Sequence, residues 1–341
     1  MSPPHNPGGV SFWYEQMKRL EDGHNRTIDY LRLSVTDRCN LRCIYCDNRM
    51  VKRLTHEDIL RYEEMARLVR VGASLGLRSV RITGGEPLAR SNLVQLVSLI
   101  SRIEGIEDIS LTTNGTMLAN HAAALKKAGL KRVNISLDTF KEEKYRDLSG
   151  GGSLKDVMEG IETALQMDLT PLKINTVVLK DFNDDEIVEF AHRVAEDGWH
   201  VRFIEYMPLL EEGTGGLIPA AEIRKVIEEE VGRLISNEVV SGKGPARYFD
   251  LGDKGGIIGF ISPMTDCFCS ACNRLRLTAD GRLIPCLLNE TEIDIKEALR
   301  NDSDDATIRE VFKRAVAAKP ERHHLDTLGK KNGRPMRQIG G

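Results

Sequence analysis

No apolar run in the 341 residues is long enough to cross a bilayer. The first residues, Met1 to Gly9, carry proline and glycine rather than the apolar stretch of a secretion signal. An irregular or disordered lead-in over residues 1–27 and a cytoplasmic protein without a membrane partner are expected. An excess of either charge is also missing: 48 basic against 51 acidic residues leave a formal net charge of −3. With no bulk basic field, nucleic-acid binding is disfavoured, although a local arginine cluster stays open. Between Cys46 and Cys267 there is no cysteine at all, and the seven that exist form two tight groups. A disulfide framework is normally smaller, secreted and evenly spread, so the two groups read as metal sites. What is present is ordinary globular material, 41% apolar and 29% charged, enough for one large α/β domain plus an extension.

From Ile28 to about Arg202, short apolar runs alternate with amphipathic segments. The pattern predicts strands at Tyr30–Val35, Ser79–Thr83, Ile109–Thr113, Arg132–Leu137, Leu172–Leu179 and Val201–Tyr206. It predicts helices at His56–Leu75, Ser91–Ile103, Asn120–Ala128, Leu154–Met167, Asp184–Glu196 and Ala220–Glu230. Thr55 stands as an N-cap candidate, and Gly76 and Gly129 fall just past helix ends. Alternating β and α units make parallel strands, either as an open sheet or as an incomplete barrel. In both, functional groups gather at the C-terminal strand ends. After about Val231 come short β-like runs, the second cysteine group, and helical stretches at Ile293–Arg300 and Ala306–Ala318.

Cys39, Cys43 and Cys46 follow the first predicted strand directly. Three thiolates can hold three irons of a cubane and leave the fourth iron open to a chelating ligand. The spacing also fits one buried helix face with cysteine as a small apolar residue, or part of a zinc site. Arg81–Pro87 reads Arg-Ile-Thr-Gly-Gly-Glu-Pro, where paired glycines permit close backbone approach. Thr112–Gly115, Asn134–Asp138, Lys173–Thr176 and Arg202–Pro208 each place polar groups at or near a strand end. The first cysteine group resembles that of the radical S-adenosylmethionine superfamily. There the open iron takes the amino-carboxylate of the methionine moiety, a reductive step releases a 5′-deoxyadenosyl radical, and Glu86 of the Gly-Gly-Glu-Pro segment would accept from the ammonium.

Cys269-x-x-Cys272, Asn273-Arg274-Leu275-Arg276 and then Cys286 form the most specific stretch, and Gly340–Gly341 ends the chain. A zinc ribbon with Cys267 as the fourth ligand is the alternative metal reading. With the first cysteine group, this set resembles the GTP 3′,8-cyclase family of molybdenum cofactor biosynthesis, from about Asp29 to Gly341. The resemblance implies an α/β fold, an incomplete (β/α)6 TIM-type barrel over residues 28–232. Its open side would be closed by an extension over residues 233–341 that carries a second [4Fe–4S] cluster.

It also implies that Cys39, Cys43 and Cys46 hold one cluster and Cys269, Cys272 and Cys286 the other. S-adenosylmethionine would meet Tyr45, Gly85, Ser136 and Met207. GTP would meet Arg32, Arg81, Thr112, Lys173, Arg202, Arg274 and Arg276, all cationic except Thr112, as a triphosphate requires. The adenosyl radical would remove the ribose 3′ hydrogen, and the product would be 3′,8-cyclo-7,8-dihydro-GTP. Gly340 and Gly341 would enter the site and help initiate the radical step. An electron donor, a homodimer and a downstream cyclic pyranopterin monophosphate synthase complete what the resemblance implies. Two positions depart from the family. Ser79 stands where many members have a lysine, with Arg78 beside it, and Cys267 is either a spare thiol or an alternative ligand.

Overall fold

The computed structural model describes residues 19–46, 53–207, 216–238, 244–251, 255–301, 303–323 and 334–340. Six strands run parallel and in chain order: β1 (Tyr30–Ser34), β2 (Ser79–Thr83), β3 (Asp108–Thr113), β4 (Arg132–Ser136), β5 (Lys173–Val178) and β6 (His200–Glu205). These are the six strands that the apolar runs predict, displaced by a residue or two at most. Along each strand, side chains alternate between faces. One face is apolar: Leu31, Leu33, Val80, Ile82, Ile109 and Leu111 are buried in one core with Met65, Leu68, Leu96 and Ile161 of the intervening helices. Such a helix-covered face is what a parallel sheet requires.

The C-terminal segment lengthens this sheet at both edges. It supplies β7 (Ile235–Asn237), β8 (Arg247–Asp250), β9 (Ile257–Ile261), β10 (Arg274–Leu277), β11 (Arg282–Ile284) and β12 (Ile293–Asp294). β9 pairs parallel with β6, and β10 pairs parallel with β1. β8 and β7 continue antiparallel beyond β9, and β11 and β12 do so beyond β10. The twelve-stranded sheet ends in β12 and β7, so strand pairing does not close it and the barrel is incomplete. β9 and β10 are consecutive in the chain yet lie on opposite flanks of the six-strand core. The connection 262–273 therefore spans the open side, and it carries Cys267, Cys269 and Cys272.

Several predicted bounds move for identifiable reasons. The helix expected from His56 starts at Tyr62 and runs to Ser74. Thr55 and Asp58 instead close a separate turn, with Thr55 N–H donating to the Asp58 carboxylate at 2.8 Å. The true start is a capping box in which Glu64 accepts from Arg61 N–H at 2.6 Å. Just before it, Leu60 N–H is drawn to the Ala279 carbonyl at 2.8 Å. The helix expected over Ile293–Arg300 loses its first residues to β12 and begins at Lys296. Glu142–Ser149 is a helix that the apolar pattern does not predict. Gly76 and Gly129 lie past helix ends at φ +104° and +110°, the left-handed region that suits glycine.

Candidate active site

The inner face of the sheet is polar. Register places Arg32, Arg81, Ser110 and Arg132 in one row, Thr112, Asn134 and Lys173 in another, and Ser136, Asn175 and Arg202 in a third. Arg276 stands opposite Arg32 from β10. A barrel interior is ordinarily filled by branched apolar residues. Here the interior carries a group of cations, and of these Arg132 is paired with Asp108. Neighbours hold the rest in place. Arg81 Nε donates to Ser110 Oγ at 3.2 Å, and Arg202 donates to the Asn134 amide oxygen. Gly259 on β9 makes room for Arg202, because a Cβ there would stand 2.9 Å from Arg202 Cγ.

Burial of so many like charges depresses their affinity for protons. Arg202 and Arg276 are each lowered to about 10, by burial first; the charges of Arg81 and Arg274, respectively, contribute. Lys173 falls to about 6, through burial and then the charges of Arg202, Arg132 and Arg81. Among the described residues, buried Thr112 Oγ1, Asn175 Oδ1 and Arg202 Nε have no hydrogen-bond partner. Thr112 Oγ1 and Arg202 Nε can donate to an anionic ligand, and Asn175 Oδ1 can accept from a donor group on it.

These residues line a cavity of about 790 Å³, at the upper end of the size that encloses a small-molecule ligand. Both cysteine groups open onto it. Tyr45, Gly85, Glu86, Ser136, Met207, Arg32, Arg81, Thr112, Arg202, Arg274 and Arg276 all line it. Lys173 does not. It is 1% exposed, below the lining, with Nζ 5.2 Å from the centre of the Tyr248 ring. Ser79 is buried on the inner face of β2. Arg78 does not compensate for it: its guanidinium turns back to the carbonyls of Ala73, Leu77 and Gly105. Gly340 does not line the cavity, but its carbonyl accepts from Arg276, which does. Its φ is +85°, and a Cβ would lie 2.7 Å from Thr83 Cγ2. Gly341 lies outside the described residues.

Local structure explains how each thiolate group is presented. After β1 the chain passes against the Gly84–Glu86 turn, with Gly85 N–H on the Thr36 carbonyl at 2.7 Å and Glu86 N–H on the Arg38 carbonyl at 2.8 Å. A Cβ on Gly85 would lie 2.4 Å from the Arg38 carbonyl oxygen, so only glycine allows this approach. The Cys39–Cys46 loop is then pinned to the helix Glu142–Ser149, with Arg42 N–H on Ser149 O at 2.8 Å and Ile44 N–H on Leu148 O at 2.9 Å. Glu86 accepts from Leu88 N–H, Thr113 Oγ1 and Asn114 N–H, and burial still raises it to about 7. Tyr45 donates to Asp138 at 2.6 Å, and burial raises Asp138 to about 6. Burial also pushes the Cys43 thiol up, with Cys46 and Asp138 adding to it.

The second group sits among cations. Burial opposes ionisation of Cys272, but the charges of Arg274 and Lys319 outweigh it and bring the thiol down to about 6. Lys319, 4% exposed, donates to the Arg274 carbonyl at 2.9 Å and the Pro285 carbonyl at 2.8 Å. Arg26 clamps the Cys269 carbonyl at 2.7 Å and the Pro320 carbonyl at 2.6 Å. Glu205 accepts from Ala220 N–H at 3.0 Å and from Met264 and Thr265 N–H at 3.1 Å each, fixing the spanning connection to β6. Nothing in the sequence singles out Arg26 and Lys319, and it marks Asp138 and Glu205 only as polar residues at strand ends. Their partners are far off in sequence.

The donor set can be tested against an iron–sulfur cluster. Two thiolates on one tetrahedral zinc stand about 3.8 Å apart, from Zn–S bonds of about 2.3 Å. Among the described residues, neither Cys39/Cys43/Cys46 nor Cys269/Cys272/Cys286 brings three ligand atoms within 4.8 Å of one another. Each set is thus spread too widely for one ion and has the three-thiolate, one-vacancy composition that a polynuclear cluster accepts.

A parallel (β/α)6 sheet with a three-cysteine loop after its first strand defines a radical S-adenosylmethionine fold. Residues 33–194 match the Radical SAM superfamily, and residues 199–325 match Molybdenum Cofactor Synthesis C. Solved structures agree on the fold. Streptococcus suis SuiB bound to S-adenosylmethionine superposes with a TM-score of 0.60 at 15% identity, over 84% of this chain and 69% of that one. anSMEcpe with bound AdoMet gives 0.56 at 16% identity, over 82% and 81%.

Sequence relatives carry the assignment further. The GTP 3′,8-cyclase of Syntrophomonas wolfei is 49% identical over 325 residues, spanning 94% of this chain and 99% of the relative. That of Moorella thermoacetica is also 49% identical over 325 residues, spanning 94% and 100%. The chain belongs to the GTP 3′,8-cyclase family.

Proposed function

We propose that this protein cyclises GTP to 3′,8-cyclo-7,8-dihydro-GTP, the first step of molybdenum cofactor biosynthesis. The observation that carries this is the joint opening of two thiolate triads and a wall of buried cations on one cavity. Cys39, Cys43 and Cys46 would hold the cluster beside S-adenosylmethionine. Cys269, Cys272 and Cys286 would hold the one beside the guanine. The chemistry supplied by the first, when bound, is one electron for reductive cleavage of S-adenosylmethionine, whose 5′-deoxyadenosyl radical takes the ribose 3′ hydrogen.

The chain's own contribution is placement. Gly85 lets backbone pass close to the methionine end, and Glu86, fixed by its donors, offers a carboxylate to the ammonium. Tyr45, Ser136 and Met207 line the remainder of that half. Arg32, Arg81, Arg202, Arg274 and Arg276 face the triphosphate with paired donors, while Thr112 gives a hydroxyl. Lys173 adds charge from behind the lining. The contact of the Gly340 carbonyl with Arg276 supports a tail in which Gly340 and Gly341 would approach the reacting end of the site. The family likeness further supports an external one-electron donor, a homodimer, a cytoplasmic location, and cyclic pyranopterin monophosphate synthase as the consumer of the product. No described helix is long and apolar enough to cross a membrane.

The test is an anaerobic assay of iron-reconstituted protein with GTP, S-adenosylmethionine and a strong reductant, read by mass spectrometry. The expected result is 5′-deoxyadenosine together with a cyclised isomer of GTP. Deoxyadenosine alone would keep the radical class and overturn GTP as substrate. Neither product, from protein verified to hold both clusters, would overturn the whole reading.

A further inference from the structure

Cys267 has no place in either triad, yet it lies in the one compact set of ligands among the described residues. The Sγ atoms of Cys267 and Cys269 and a ring nitrogen of His323 lie within 4.8 Å of one another. The two cysteines come from the connection that spans the open side. His323 comes from the arm that follows helix Asp305–Ala317.

The histidine is prepared for a ligand. It is 8% exposed, and its Nε2 lies 3.0 Å from the Pro263 carbonyl. A carbonyl can only accept, so Nε2 carries the proton and Nδ1 keeps its lone pair. Nδ1 is buried and has no hydrogen-bond partner. An imidazole that donates one nitrogen to a backbone carbonyl and leaves the other basic and bare is the arrangement behind metal-bound histidines. Without a ligand, such a buried acceptor is left unsatisfied.

We propose that Cys267, Cys269 and His323 form a mononuclear site for a thiophilic divalent cation of the Zn²⁺ type. Two thiolates and one imidazole suit zinc, with a fourth position left for water or a further donor. The site shares Cys269 with the second triad. Both sites call on the Cys269 sulfur as a terminal ligand, so zinc at this site and a cluster on Cys269, Cys272 and Cys286 would exclude each other. That exclusion rests on the cluster reading given above; the mononuclear site does not.

The experiment uses the full-length, iron-free, reduced protein with Cys39, Cys43 and Cys46 changed to serine, which removes the competing thiolates. Zn²⁺ affinity is measured against a chromophoric chelator, and Co²⁺ spectra report thiolate ligation. The expected result is one tight equivalent with thiolate-to-cobalt charge-transfer bands. Cys267→Ser and His323→Asn should each weaken it about tenfold or more, while Cys286→Ser leaves it unchanged. Circular dichroism establishes that each variant is folded. Loss of the tight equivalent in Cys286→Ser but not in Cys267→Ser or His323→Asn would assign the metal to the triad and overturn the proposal. So would the lack of any tight equivalent.

The exclusion is read separately, as iron uptake by the chain with all its cysteines intact. Prebound zinc should cut uptake to about half of the roughly eight irons that two clusters hold, and Cys267→Ser should restore it. Uptake indifferent to zinc would overturn the sharing of Cys269. No uptake even without zinc would overturn the cluster reading, with the mononuclear site still decided by the cobalt spectra.

Discussion

Lys173→Met should make the empty protein more stable and its hold on GTP weaker. The lysine is 1% exposed and its ammonium is depressed from 10.5 to about 6, by burial and then by Arg202, Arg132 and Arg81. The unfolded chain therefore binds one more proton than the folded chain between about pH 6 and the ordinary lysine value. Over that window stability rises with pH, and the cost of keeping lysine there is greatest at the acid end. At about 1.4 kcal/mol per pH unit, the cost is at most about 5 kcal/mol at pH 7 and about 2 kcal/mol at pH 9. Methionine is of similar length and removes the charge, although it also removes the polar contacts that Lys173 makes. A net gain of about 1–3 kcal/mol at pH 7, shrinking towards pH 9, is expected. Urea denaturation of the iron-free protein under argon at both pH values measures it, provided the m-values agree. Triphosphate binding should return the proton to Lys173, so the wild type takes up close to one proton at about pH 7.5. Titration calorimetry in buffers of different ionisation enthalpy reads this, and the methionine variant should lose the uptake. A variant less stable than wild type at pH 7, a gain that does not change with pH, or undiminished proton uptake would refute the reasoning.

Three further changes probe how the site is held. Gly85→Ala forces a Cβ to within 2.4 Å of the Arg38 carbonyl oxygen, which is backbone and cannot swing aside; a loss of about 1–3 kcal/mol and of the iron at the first triad should appear in denaturation and iron analysis. Glu205→Gln sets an amide NH₂ among the N–H donors of Ala220, Met264 and Thr265. A destabilisation of about 2–3 kcal/mol and selective loss of iron from the second triad, read by electron paramagnetic resonance, are expected. Gly340→Ala meets Thr83 Cγ2 at 2.7 Å from a left-handed backbone and should displace the tail. Cyclised product should fall by roughly tenfold, about 1.4 kcal/mol, with iron content and GTP affinity kept.

Strand positions were legible because apolar runs of five or six residues need only local sequence. The helix Glu142–Ser149 was not, since Tyr145, Leu148 and Ser149 are its buried residues and the rest is charged. The start of the helix at Tyr62 was obscured because Thr55 and Asp58 make a cap-like pair of their own, and the later capping box begins with arginine. The cysteine groups were legible from spacing, and the likeness to a family extended them to contacts in the cavity. What stayed hidden has a common cause. Arg26 acts through the Cys269 carbonyl, Lys319 through those of Arg274 and Pro285, and Glu205 through main-chain donors of Met264 and Thr265. Each is an ordinary charged residue until folding brings a distant backbone to it. Arg78 is the converse: adjacent to Ser79 in sequence, it turns to carbonyls on the other side of the strand.

The cationic interior, by contrast, leaves a trace in the sequence that strand prediction alone does not use. A strand central in a parallel sheet and covered on both faces reads as a continuous apolar run. β1 reads Tyr-Leu-Arg-Leu-Ser, β2 Ser-Val-Arg-Ile-Thr, β4 Arg-Val-Asn-Ile-Ser and β6 His-Val-Arg-Phe-Ile-Glu. The period-two alternation marks one face of each strand as polar, although the strands lie inside the sheet. Parallel strands whose helices cover one face can tolerate polar residues on the other only if that face encloses something polar. Four of them with arginine or asparagine at the middle position require an interior that holds anions, since unpaired buried guanidinium groups are costly. Read this way, the alternation adds Arg132 to Asn134 and Asn175, which the polar strand ends already mark, and to the residues that family likeness supplied. Lys173, which both readings assign to the interior, lies there beneath the cavity without reaching its lining.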